Sequence, residues 1–248
     1  MPDSSIQRPQ PHSPEWFVTT HWSVVLAAGQ ADPARARAAL EHLCRSYWYP
    51  LYAFVRRSGK SPHDAEDAVQ SFFAVCFEKD YLAAADREKG RFRSFLLLML
   101  KRFLANEQHR SQATKRGGAR PLVALDALDA EERYAIEPVD RLSADKLYDR
   151  RWALTLLEQV LARLQQEQMD AGRGEVFERL KTFLTAGGGP SYAELASQLG
   201  LTQGAVKVAV HRLRQRYRLL LDDELANTVS SPEEVEVERR HLLEALGA

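Results

Sequence analysis

The chain has 248 residues, 45% of them hydrophobic, and its 34 lysines and arginines are matched by 34 aspartates and glutamates. That length supplies one large core or two small ones, and the cancelled charge points to no partner by itself. Two cysteines, Cys44 and Cys76, exclude a disulfide scaffold and a four-thiolate zinc site, and the longest apolar run, Phe95 to Leu100, is far short of a membrane span.

Residues 1–30 read as a flexible head with a short apolar segment, Trp16 to Leu26. Met1 to Pro14 is rich in Pro, Ser and Gln and lacks the apolar stretch of a secretory leader, so a reducing, cytoplasmic setting is expected. From Pro33 onward Leu40, Leu43, Cys44, Tyr47, Leu51 and Phe54 recur at spacings of three and four, predicting a helix that Pro50 kinks. Ser61-Pro62-His63-Asp64 reads as a helix start: a serine cap, proline at the first position and a carboxylate three residues after the cap. The stripe Ala65, Val69, Phe72, Phe73, Cys76 follows from it. A third amphipathic run holds Phe92, Phe95, Leu96, Met99, Leu100, Phe103 and Leu104. Residues 31–110 are therefore expected to form one helical domain.

Residues 111–142 have no sustained apolar period and read as a charged linker. Helical spacing resumes at Ser143 with Leu147, Leu154, Leu157, Leu161 and Leu164. It breaks at Gly172 and Gly174, and stops at Gly187-Gly188-Gly189-Pro190. Residues 143–226 are expected to form a second helical domain, followed by an acidic tail at 227–248. The expected fold class is all-α, two small helical domains joined by a charged linker. In the tail, Val235, Leu242, Leu243 and Leu246 predict an amphipathic helix. Either its leucines complete the core of the second domain, or its carboxylates lie close to Lys207 and Arg212 and compete there with phosphate.

Local charge is far from neutral. Arg87 to Arg120 holds ten lysines and arginines against Glu88 and Glu107, and Leu201 to Leu221 holds five against no acid. Two basic stripes, one in each half, suit a bipartite nucleic-acid binder. In the first, Phe92, Phe95 and Phe103 alternate with Arg91, Arg93, Lys101, Arg102 and Arg110. Such phenylalanines are most often core, but the pattern also fits a surface that stacks single-stranded bases and holds phosphates.

The second stripe sits in a recognisable frame. Ser191-Tyr192-Ala193-Glu194 is a capping box opening a short helix that Gly200, suited to the left-handed position, would end. Thr202 can cap a second helix from Gln203. Leu195, Leu199, Leu201, Val206 and Val210 supply apolar faces, and Ala196 permits close crossing. This is helix, three-residue turn, helix, with Lys207, His211, Arg212 and Arg214 on the polar sides of the second helix.

Taken together these segments resemble the bacterial sigma factors of the extracytoplasmic-function group. Asp64-Ala65-Glu66-Asp67-Ala68-Val69-Gln70-Ser71-Phe72-Phe73 looks like their D-A-E-D-x-x-Q-x-x-F signature, Arg91-Phe92-Arg93-Ser94-Phe95-Leu96 like their −10 helix, and Ser191 to Arg218 like their −35 domain. The resemblance covers about residues 34–110 and 150–221. It implies that Asp64, Glu66, Asp67, Gln70 and Phe73 bind core RNA polymerase. It assigns Arg91, Arg93, Phe95, Lys101, Arg102, Asn106 and Arg110 to the −10 promoter element. It assigns Thr202, Gln203, Ala205, Lys207, His211, Arg212 and Arg214 to the −35 element. The partners so implied are core RNA polymerase and promoter DNA, with an anti-sigma factor or other regulator as a further partner and no membrane. Phe95 stands where the family usually has tryptophan, and Arg102 and Asn106 depart from its asparagine and aspartate. The rival readings are a helix-turn-helix regulator that works without polymerase and a nucleic-acid enzyme. No Walker loop or metal-ligand spacing supports the enzyme, so no catalytic residue, cofactor or metal is expected.

Overall fold

A computed structural model of the chain describes residues 33–78, 91–111, 127–136, 142–184, 190–229 and 231–247. The head, the basic residues at 87, 89, 115, 116 and 120, and the glycine run at 187–189 lie outside them. Every regular element among the described residues is helical, so the fold class is all-α. In chain order the helices are α1 (Pro33–Arg57), α2 (Pro62–Glu78), α3 (Phe92–Ser111), α4 (Ala127–Ala135), α5 (Ala144–Asp170), α6 (Gly174–Leu180), α7 (Tyr192–Leu199), α8 (Gln203–Ala226) and α9 (Glu234–Gly247), with a 3-10 turn at Lys181–Phe183 after α6.

Local chemistry accounts for the ends of these helices. The Asp64 amide donates to Ser61 Oγ at 3.2 Å, and the Ser61 hydroxyl donates to the Asp64 carboxylate at 2.7 Å, so α2 starts where its cap places it. The Lys146 amide donates to Ser143 Oγ at 3.3 Å at the head of α5. That helix ends at Asp170, and just beyond it Gly172, with φ of +67°, lets the Arg173 amide reach back to the Gln168 carbonyl at 2.8 Å. Helix α1 is continuous through the buried Pro50. The missing backbone bond is offset by the burial of Tyr47, Leu51 and Phe54 on either side.

The centre of the molecule is α5. Leu147, Tyr148, Trp152, Ala153, Leu156, Val160 and Leu164 are buried along it, and its interface with α1 is the most extensive between any two helices. The same helix also packs on α8 and α9. Tyr47 meets Phe92 edge-on with ring centres 5.4 Å apart, and Phe72 meets Phe103 at 5.8 Å. Buried side chains from residues 43–100 and from 130–242 belong to one continuous core. No break in that core marks the division expected at 111–142, and α4 lies within the segment read as linker. Ala130 of α4 is buried, and Glu131 accepts from Tyr52 Oη at 2.5 Å and from Arg56 at 2.7 and 3.0 Å.

Candidate nucleic-acid interface

Helices α7 and α8 form the helix-turn-helix. The capping box is complete: the Glu194 amide donates to Ser191 Oγ at 3.2 Å and the Ser191 amide to the Glu194 carboxylate at 2.7 Å. These bonds hold the Glu194 carboxyl below its ordinary pKa. Gly200 adopts φ +64°, and the following Leu201 amide returns to the Ala196 carbonyl at 2.9 Å. Thr202 Oγ1 then accepts from the Ala205 amide at 3.2 Å and starts α8. Leu195, Ala196, Val206, Val210 and Leu213 are buried where the two helices cross. The opposite side of α8 is open: Thr202, Gln203, Ala205, Lys207, His211, Arg212 and Arg214 are all exposed.

The basic residues of α8 are not equivalent. Arg214 donates twice to the Phe183 carbonyl, at 3.0 and 3.1 Å, and so straps α8 to the end of α6. Arg216 is paired with Glu167 of α5 at 2.6 Å, and this bond holds the Glu167 carboxyl below its ordinary pKa. Lys207 lies 6.0 Å from the ring of Tyr192, which stacks on Phe183. His211, Arg212 and Arg218 form no ion pair among the described residues. An exposed helix with unpaired cations over its first half has the shape and charge to enter a major groove and hold the flanking phosphates.

The α3 stripe is arranged differently. Arg93 is only 5% exposed. Its Nε donates to Glu238 Oε1 of α9 at 2.7 Å, its Nη1 to Asp149 of α5, and its guanidinium lies 4.5 Å from the Trp152 ring. Burial opposes the Arg93 charge, but the Glu238 and Asp149 carboxylates outweigh it and raise the pKa. Burial raises the Asp149 carboxyl above its usual range, against the pull of Arg93. Arg91 reaches Glu238 Oε2 at 2.9 Å and His241 Nε2 at 3.3 Å. In this conformation Arg93 faces carboxylates and not solvent, because a guanidinium is buried only with its charge paired, while Arg91 beside it is half-buried. Phe95 is half-buried against Phe92. Lys101 is exposed but pairs with Asp145. Arg102 and Asn106 are exposed, and the Arg110 side chain lies outside the described residues.

On α2, Asp64 and Asp67 are exposed, and Glu66 and Gln70 are half-buried, with Gln70 donating to Glu66 at 2.9 Å. Phe73 is 5% exposed and packs on Phe72. It is a core position of the fold. Cys44 and Cys76 are both buried thiols outside any disulfide, and burial pushes the Cys76 thiol up to about 12.

The tail forms the expected amphipathic helix, and of the two alternatives its apolar residues follow the first: Val235 and Leu246 pack against the core. Leu242 joins the core, while Leu243 is exposed, and the buried carboxylate of α9 faces Arg91 and Arg93 and not Lys207 and Arg212. Sequence reading missed Glu238, Asp149 and Trp152 as partners of Arg93. The one signal was the run of acids in the tail, which does not say which cation it meets. Among the described residues no three His, Cys, Asp or Glu side chains are placed to hold a metal ion, and no helix is long and apolar enough to cross a membrane. In comparisons with known proteins the chain matches no protein-family model, no curated protein and no solved structure.

Proposed function

We propose that the chain is a sigma factor of the extracytoplasmic-function type: it binds core RNA polymerase and directs initiation at particular promoters. The observation that carries this reading is the complete helix-turn-helix with the open cationic start of α8, on the same chain as the capped acidic start of α2. In this reading residues 143–226 act on DNA as a −35-binding domain, with α8 in the major groove. Residues 31–110 act as a second domain, in which Asp64, Glu66 and Asp67 dock on polymerase and α3 captures the bases of the −10 element. No bond chemistry is required: unstacking a base costs a few kcal/mol, and stacking it on an aromatic side chain returns ~1–3 kcal/mol.

A DNA-binding regulator that works without polymerase would use the same α7 and α8 but would have no use for the acidic start of α2. Charge reversal of Asp64, Glu66 and Asp67 to Lys separates the two. It should abolish capture of core polymerase in the absence of DNA while leaving helix content intact, since removing each carboxylate from the helix dipole costs only ~0.3–1 kcal/mol. Unchanged core-enzyme affinity in the folded triple variant would overturn the reading. Run-off transcription of genomic DNA by core enzyme plus this chain, with the starts sequenced, would supply the promoter.

A further inference from the structure

Helix α9 packs on α5 and α8 through Leu242, with Val235, Ala245 and Leu246 half-buried beside it, and Arg239 pairs with Asp222. Among its residues only Glu238 and Leu242 are buried, while Val237 and Leu243 are 41% and 62% exposed. What it buries most completely is a charge, the Glu238 carboxylate, 0% exposed between Arg91 and Arg93. The segment leading into α9 reinforces the contact: the buried Thr228 gives its carbonyl to the Phe92 amide at 3.4 Å, at the open N-terminal end of α3. Beside the pair, a cleft of about 390 Å³ opens to solvent between Arg91, Ser94, Leu98, Lys101, Asp145 and His241.

We propose that α9 is an intramolecular cover for α3: docked, it occupies Arg91 and Arg93 with Glu238, and a polynucleotide displaces it by substituting phosphate for that carboxylate. The inference rests on the reading of α3 as a nucleic-acid surface. Glu238 meets each arginine through a single Nε, and phosphate oxygens accept from guanidinium N–H groups as carboxylate oxygens do, so the exchange leaves neither arginine without an anion and returns Glu238 to water. A buried ion pair is near break-even against its desolvation, so exchanging Glu238 for phosphate costs little at the arginines, and the apolar contact of Leu242 is what undocking must give up. The chain then meets free DNA chiefly through α8, and α3 becomes available when nucleic acid is held against it.

The test uses the full chain with spin labels at two exposed positions, Leu98 on α3 and Leu243 on α9. The unlabelled background is wild type, Glu238→Gln or Leu242→Ala, and the probe is a 20-mer of deoxythymidine. Wild type should show one short, narrow distance that lengthens when the oligonucleotide is added. Both variants should show the long distance without it, and should bind it more tightly. A chain closed nine-tenths of the time binds about tenfold more weakly than an open one. Circular dichroism on each variant separates undocking from unfolding, and the wild-type titration needs no variant at all. A distance that stays short in wild type at saturating oligonucleotide overturns the cover, as does unchanged oligonucleotide affinity in a folded, undocked variant. The parent reading fails separately. If α9 opens as described but core polymerase is not captured, the cover stands and the sigma assignment falls. If polymerase is captured and transcribes while the distance stays short, the assignment stands and the cover falls.

Discussion

Arg212 and Arg214 lie two positions apart on α8, share a charge, and do different work. The Arg214 guanidinium is committed to the Phe183 carbonyl, whereas Arg212 meets no carboxylate among the described residues. Arg212→Ala should therefore weaken binding to a −35 duplex and lower the slope of log affinity against log salt by about 0.9, the value for a single neutralised phosphate, with the melting temperature unchanged. Arg214→Ala should lower the melting temperature, a hydrogen bond being worth about 0.5–1.5 kcal/mol. Salt titrations and thermal melts of the two variants check both; an unchanged salt slope in Arg212→Ala would remove that residue from the interface. The cap residues Ser61, Ser191, Gly200 and Thr202 were readable in the sequence because each bonds within five residues of itself. Arg93 was not, because Glu238 and Asp149 lie 145 and 56 residues away. A basic residue on an amphipathic stripe reads as surface until its partners are located.

Helix α4 shows the same limit at the level of an element. Its nine residues hold too few turns for an apolar period to stand out, and its acids made 111–142 resemble a solvated linker. It is held instead by polar contacts to α1: Glu131 to Tyr52 and Arg56, Arg133 over the Tyr49 ring at 4.3 Å, and Arg56 over the Tyr134 ring at 4.9 Å. The Arg56 hydrogen bond keeps the Glu131 carboxyl below its ordinary value of 4.5, against the opposing effect of burial. A carboxylate depressed in the folded state stabilises it above its unfolded pKa, and loses that contribution as pH falls through the folded value. Glu131→Gln should thus melt below wild type at neutral pH, with the gap closing once the pH passes below about 4.5. The raised Asp149 is common to both proteins and cancels in the difference. Melting curves from pH 7 to pH 3 decide it; a gap that persists at acid pH would mean that Glu131 acts by packing alone.

Across the whole molecule, the all-α class and the helix-turn-helix were legible, because helical spacing and capping are local properties. The joining of the two halves was not. Nothing in the run from Leu147 to Leu164 says that its partner is α1, since apolar faces carry no address and the pairing is decided by shape. A core that passes from α1 through α5 to α8 should unfold as one unit. Calorimetry of the full chain should show a single transition whose calorimetric and van't Hoff enthalpies agree. Trp152→Ala, at the centre, should move that entire transition down, with a loss of ~3–5 kcal/mol. Two resolved transitions, only one of them sensitive to Trp152, would show that the halves are thermodynamically separate.

Helix α8 is one unbroken rod of 24 residues, about 36 Å at 1.5 Å per residue. Lys207 and Arg212 ride near one end. At the other, Asp222 is held by Arg239 at 2.7 Å and Asp223 by Arg163 at 2.6 Å, with Leu220 and Leu225 buried on either side of them. The rod is also gripped at mid-length, by Arg214 on the Phe183 carbonyl and Arg216 on Glu167, so it tilts only together with those neighbours. A tilt of about ten degrees at the Arg239 grip would sweep the Gln203 end, about 28 Å away, through about 5 Å, about one and a half base-pair steps of 3.4 Å. In the proposed reading, the register in which α8 meets a duplex is therefore geared to how α9 is seated.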